Sequence, residues 1–179
     1  MKKLSLLFVM CLAALIMAGC AKPADKSMQI AAEKFVEELY TVSSEEAENY
    51  NRFLELRPAD VNELVKAIEA NDDALKSMMT DKSYNVLVNN RQNLMFAQYC
   101  ALNDCTMQVM DVKLTEKEGG AEAGRVDYDF EVKVRFVSKD GTVLDTDSGK
   151  GFMRLTKEGN DWKVSDYRGL EYPKEIVVN

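Results

Sequence analysis

The sequence predicts an α+β fold in which N-terminal helices pack on a curved antiparallel β-sheet. Three observations predict it. Apolar residues recur with a helical period from Met28 to Tyr99, the period changes to two after Cys105, and turn residues such as Asp140-Gly141 separate the alternating runs. The balance of the 179-residue chain is that of a folded domain: 46% hydrophobic, 30% charged, 3 Pro and 9 Gly. No internal repeat or low-complexity stretch interrupts it.

Taken in order, Met28, Ala31, Ala32, Phe35, Val36, Leu39 and Tyr40 form one apolar stripe, with Ser27 placed to cap the helix. Ser43 and Glu46 have capping-box spacing ahead of a second helix carrying Ala47, Tyr50, Phe53, Leu54 and Leu56 and stopped by Pro58. Asp60 and Glu63 repeat the device before a third stripe, Val61, Leu64, Val65, Ile68, Leu75, Met78 and Met79, with a break expected at Asn71-Asp72-Asp73. A fourth helical segment follows Asp81-Lys82-Ser83, with Tyr84, Leu87, Val88, Met95, Phe96 and Tyr99 on one broad face.

Four strands are expected after Cys105. In the first, Met107 and Val109 are odd-numbered while Met110, Val112 and Leu114 are even-numbered, so the strand changes face near Val109. The clearest is Arg125 to Val137: Val126, Tyr128, Phe130, Val132, Val134 and Phe136 alternate with Arg125, Asp127, Asp129, Glu131, Lys133 and Arg135, one face core and the other wet. Asp140-Gly141 turns the chain into a third strand, where Gly149-Lys150-Gly151 marks a bulge or bend. After the turn Glu158-Gly159-Asn160-Asp161, the fourth strand alternates Trp162, Val164 and Asp166 with Lys163, Ser165 and Tyr167.

The N-terminus reads as an address. Lys2 and Lys3 precede an uncharged apolar run from Leu4 to Met17, too short to span a bilayer comfortably and suited to a secretory signal. Its end, Met17-Ala18-Gly19-Cys20, resembles the lipobox of bacterial lipoproteins. That resemblance implies cleavage before Cys20 and diacylglyceryl transfer to its sulfur, with a membrane as first partner. Two or more acyl chains anchor stably, since each buried methylene contributes about 0.8 kcal/mol. The organisation expected is a signal peptide at 1–19, the lipidated cysteine with a short tether at 20–27, and one domain at 28–179. The place expected is the cell envelope, on the extracytoplasmic side of a bacterial membrane.

Thr80-Asp81-Lys82-Ser83-Tyr84, the strand meander and the closing Asn160-Asp161-Trp162-Lys163-Val164 together resemble the nuclear-transport-factor-2-like, cystatin-like fold of small bacterial lipoproteins. The resemblance implies a cone whose sheet wraps a helix and often leaves a pocket. Relatives of that fold include isomerases, ligand binders and accessory domains without catalysis, so it selects no function.

Charge and composition exclude several functions. A net charge of -7 offers no basic footprint to nucleic acid. The absence of His removes Ser-His-Asp and Cys-His catalysis and every histidine-ligated metal site. Asp145-Thr146-Asp147-Ser148-Gly149 lacks the distal Glu of a calcium loop, and neither metal nor cofactor is expected. Cys100 and Cys105 flank Asn103-Asp104, turn chemistry that places a disulfide within reach, with two buried thiols as the other arrangement. A cavity between helix and sheet would be lined by Tyr84, Met95, Tyr99, Asp111, Tyr128 and Trp162, and an enzyme would need a carboxylate or Tyr with a shifted pKa there. No spacing singles one out, so catalysis is not expected. The expected partner is an envelope protein, or else a small apolar ligand or substrate of a cofactorless isomerase. The charged face of the second strand favours a monomer, because burying it in a dimer would require every charge to be paired.

Overall fold

The computed structural model describes residues 26–55, 72–117 and 124–173. The leader, Cys20, the tether as far as Asp25, the Pro58 stop and the Val61 to Ile68 part of the third stripe lie outside the described residues. Four named helices precede four strands: α1 (Ser27–Leu39), α2 (Ser44–Glu55), α3 (Asp81–Asn89), α4 (Met95–Leu102), β1 (Cys105–Glu116), β2 (Arg125–Ser138), β3 (Val143–Glu158) and β4 (Asp161–Glu171). Residues 72–78 are also helical. The strands form one antiparallel sheet in the order β1-β2-β3-β4. The expected α+β arrangement is the observed one.

Local chemistry explains most of the boundaries. The capping box before α2 is complete: the Ser43 N–H and hydroxyl each donate to Glu46 Oε2 at 2.7 Å, and the Glu46 N–H donates to Ser43 Oγ at 3.2 Å. Thr80 caps α3, its hydroxyl accepting from the Ser83 N–H at 3.3 Å. Ser27, expected to cap α1, is instead its first helical residue, and its hydroxyl accepts from Trp162 Nε1 at 3.1 Å. A tertiary contact takes the atom that local pattern assigns to the cap.

The fourth helical segment is two helices. Arg91 adopts φ 55° between them, and the Gln92 N–H donates to the Leu87 carbonyl at 3.0 Å, a tight reversal that ends α3. The apolar stripe continues across the break because both helices rest on the same sheet, α3 against β4 and α4 against β1.

Bulges decide which side chains face the core. In β1, Val109 pairs with Val134 and Asp111 with Lys133, leaving Met110 as the extra residue. This is the expected change of face, and it points Asp111 outward. In β4, Leu155 pairs with Val164 while Arg154 pairs with Asp166, so Ser165 is extra. Val164 and Tyr167 are therefore both buried, although strict alternation places them on opposite faces. The shift expected at Gly149-Lys150-Gly151 does fall there, but its extra residue is Leu170 on the partner strand. Gly151 itself answers to packing: a Cβ there would lie 2.5 Å from the Arg168 carbonyl oxygen and from the Phe130 ring.

Candidate functional site

The space between α1 and the sheet is where a pocket was expected. Ala32, Phe35, Val36 and Tyr40 of α1 are 0% exposed, as are Val126, Val132, Val134, Met153 and Leu155 of the sheet. A space large enough for water beside any of them would register as exposure, so these side chains border none. Aromatic rings fill the middle: Phe35 meets Tyr167 edge-on at 5.4 Å, Tyr40 meets Phe96 at 4.6 Å, and Phe130 stacks on Tyr167 at 6.1 Å. The two buried hydroxyls of Tyr40 and Tyr167 share a hydrogen bond of 3.3 Å. Burial is the first cause that drives both phenols well above the ordinary tyrosine range, so both stay neutral.

The six residues proposed to line a pocket have different neighbours and are not brought around one cavity. Asp111 is exposed on the outer face opposite Lys133. Tyr128 is buried in the sheet's core face, paired across strands with Met153. Tyr99 packs on the Phe136 ring at 5.1 Å, and Met95 lies half-buried at the start of α4. Trp162 reaches Ser27 at the rim, with Lys157 over its ring. The Tyr84 hydroxyl donates to Asp72 Oδ2 at 3.1 Å, and Asn93 Nδ2 donates to the same oxygen at 2.6 Å. Burial raises the Asp72 carboxyl above the usual range, and these two hydrogen bonds offset part of the rise. The cluster ties the helical turn at 72–78 to the reversal after α3.

The outer face of the sheet is a charge ladder. Asp111 stands opposite Lys133, Lys113 opposite Glu131, Glu131 opposite Lys150, and Asp127 opposite Arg154. One rung departs from the wet face expected of alternation, because Asp127 is 7% exposed. Arg154 clasps it with Nε and Nη2 at 2.8 Å each, and Arg125 adds contacts at 3.3 and 3.2 Å. Hydrogen bonds from Arg154 are the largest cause holding this carboxyl well below the usual range. Arg154 sits far along the chain in a strand whose register a single sequence does not fix. Opposite charges spaced to meet across an Asp140-Gly141 hairpin are the only signal for the pair.

Open spaces among the described residues lie elsewhere. A groove of about 320 Å³ runs where α3 crosses β4, lined by Lys82, Ser83, Leu87, Arg154, Tyr167 and Arg168 among others. None of the six expected lining residues borders it. Sequence reading missed it because it forms between a helix N-terminus and an edge strand. A recess of about 20 Å³ lies against Cys100 and Cys105, between α2 and the turn into β1. The two cysteines stand as reduced thiols in the structure, both buried. Burial pushes both thiols above the ordinary range. Asp145 and Asp147, the residues weighed for a calcium loop, are part of strand β3. Among the described residues no cluster of acidic or thiol side chains could hold a metal ion.

No family model matches the chain, and no curated protein matches it. Among solved structures, the chain matches a periplasmic fragment of TraM at 7% identity and a TM-score of 0.48, over 84% of this chain and 99% of that one. It matches the putative transfer protein TraH of a Gram-positive conjugative plasmid at 11% identity and a TM-score of 0.44, over 86% and 99%. A protein of unknown function from Mycobacterium tuberculosis matches at 14% identity and a TM-score of 0.38, over 65% and 76%. At these scores the likenesses assign neither a family nor an activity.

Proposed function

We propose that this chain is a lipid-anchored protein of the extracytoplasmic side of a bacterial membrane, whose domain binds another envelope protein and does no chemistry. The observation that carries the binding reading is the filled interior: α1 and the aromatic side chains occupy the place where a nuclear-transport-factor-2-like enzyme or apolar-ligand carrier would keep its cavity. The anchoring reading rests on Lys2-Lys3, the apolar run and Met17-Ala18-Gly19-Cys20. No described helix is long and apolar enough to cross a membrane. Acyl chains at Cys20 would hold the chain at the membrane surface.

Two measurements test it. The full chain expressed in a bacterium with a radiolabelled fatty acid should take up label, and Cys20→Ser should abolish uptake and leave the uncleaved precursor. Equal labelling of both forms overturns the anchor. Native mass spectrometry of protein from its own envelope should show the polypeptide without a stoichiometric small molecule, and cross-linking in intact envelopes should yield a discrete protein adduct. A co-purifying apolar compound, with no adduct, would favour the ligand-carrier reading instead.

A further inference from the structure

We propose that Cys100 and Cys105 are the two halves of an intramolecular disulfide, installed by thiol–disulfide exchange before the core closes over them. The pair sits at the junction of two fixed elements, Cys100 in the last turns of α4 and Cys105 as the first residue of β1. Asn103 and Asp104 reverse the chain between them, Asp104 in the left-handed region at φ 51°. Both cysteines line the same small recess beside that reversal, so the turn already brings the two side chains to one place and a bond between them needs no new backbone path. Beyond the turn, Val42 and Met107 exchange backbone hydrogen bonds of 2.8 and 3.1 Å, which hold the start of β1 against the segment leading into α2.

Timing follows from access. Cys100 is 0% exposed and Cys105 4% exposed, and the recess beside them is about 20 Å³, room for one water. No oxidant disulfide fits in line with either sulfur in the folded chain. Burial also disfavours the thiolate that performs exchange. The unfolded chain has neither restriction. There one cysteine thiolate attacks a sulfur of the oxidant's disulfide, forming a mixed disulfide and expelling one thiol. The second cysteine then attacks the protein-side sulfur and expels the other. Two protons and two electrons pass from the cysteines to the oxidant, a small-molecule or protein disulfide reduced to two thiols. The chemistry does not depend on the membrane anchor, and its test does not use it.

The full-length chain is denatured, reduced, and refolded in one arm into oxidised and reduced glutathione. In the other arm it refolds under reductant and meets the same glutathione couple only afterwards. Both samples are alkylated in denaturant and digested with trypsin, which releases Cys100 and Cys105 in one peptide, Gln92 to Lys113, apart from Cys11 and Cys20. The first arm should give this peptide unalkylated and two hydrogens lighter. The second should give it doubly alkylated, with oxidation at least about tenfold slower. A doubly alkylated peptide, or one joined to glutathione or another peptide, in the first arm overturns the bridge. Equal oxidation rates in the two arms overturn the requirement that it form before the core closes.

Discussion

Two side-chain groupings decide the behaviour of individual residues. Asp127 lies under two guanidinium groups, and its carboxyl is held below the ordinary range chiefly by the hydrogen bonds from Arg154. A depressed carboxylate stabilises the fold fully above its unfolded pKa of about 3.9, and that contribution is lost as pH falls through the folded value. Chemical denaturation at neutral pH should find Asp127→Asn less stable by about 2 kcal/mol, with the difference shrinking steadily below about pH 4. A gap that stays constant to pH 2 would assign the effect to packing. Tyr40 and Tyr167 make the second grouping. Tyr40→Phe strands a buried hydroxyl and should cost about 1–2 kcal/mol, whereas adding Tyr167→Phe removes the stranded group and should cost little more. Simple additivity of the two single changes would show that the 3.3 Å contact contributes nothing. Asp127 was legible as a charged residue on an alternating strand. Its burial was not, because the guanidinium that covers it comes from the next strand.

At the scale of elements, sequence was read most accurately where the cause is local. The Ser43-Glu46 capping box and the 125–137 alternation involve residues within a few positions of one another, and both are in the structure. Alternation failed in β4, where the bulge at Ser165 turns Tyr167 into the core. Nothing in Trp162 to Tyr167 announces that bulge, since it is fixed by the match between β4 and β3. Close approach, not backbone freedom, explains Gly151, which lies between Phe130 and the β4 backbone. Gly151→Ala should therefore lower stability by about 3 kcal/mol in urea denaturation. A loss below about 0.5 kcal/mol would mean that β4 can move aside without cost.

For the whole molecule, the outer face of the sheet sets the terms of association. Several of its charges stand opposite charges of the other sign, Asp127 and Asp129 are in ion pairs, and Phe152 is flanked there by Lys117 and Arg154 at 5.3 and 5.7 Å. A second copy laid on this face would have to desolvate these charges, a cost that exceeds the gain unless each charge is matched across the interface. Sedimentation of the detergent-solubilised chain should give the mass of one polypeptide. A concentration-dependent shift toward twice that mass would show that a two-fold arrangement pairs the ladder with itself.

The sequence by itself determined what depends on neighbours along the chain: the order of helices and strands, the capping of α2, and the wet and dry faces of β2. Only the tertiary structure decided what depends on residues far apart in sequence. The filled interior, the clasp on Asp127, the inward turn of Tyr167 and the meeting of Ser27 with Trp162 all require the register of strands and the seat of α1. Register is set by summing many weak cross-strand contacts and shifts at single bulged residues, each of which moves side chains from one face to the other. A one-dimensional pattern records the alternation of each strand, and its slip only where apolar residues change parity, as near Val109 in β1 but not at Ser165 in β4.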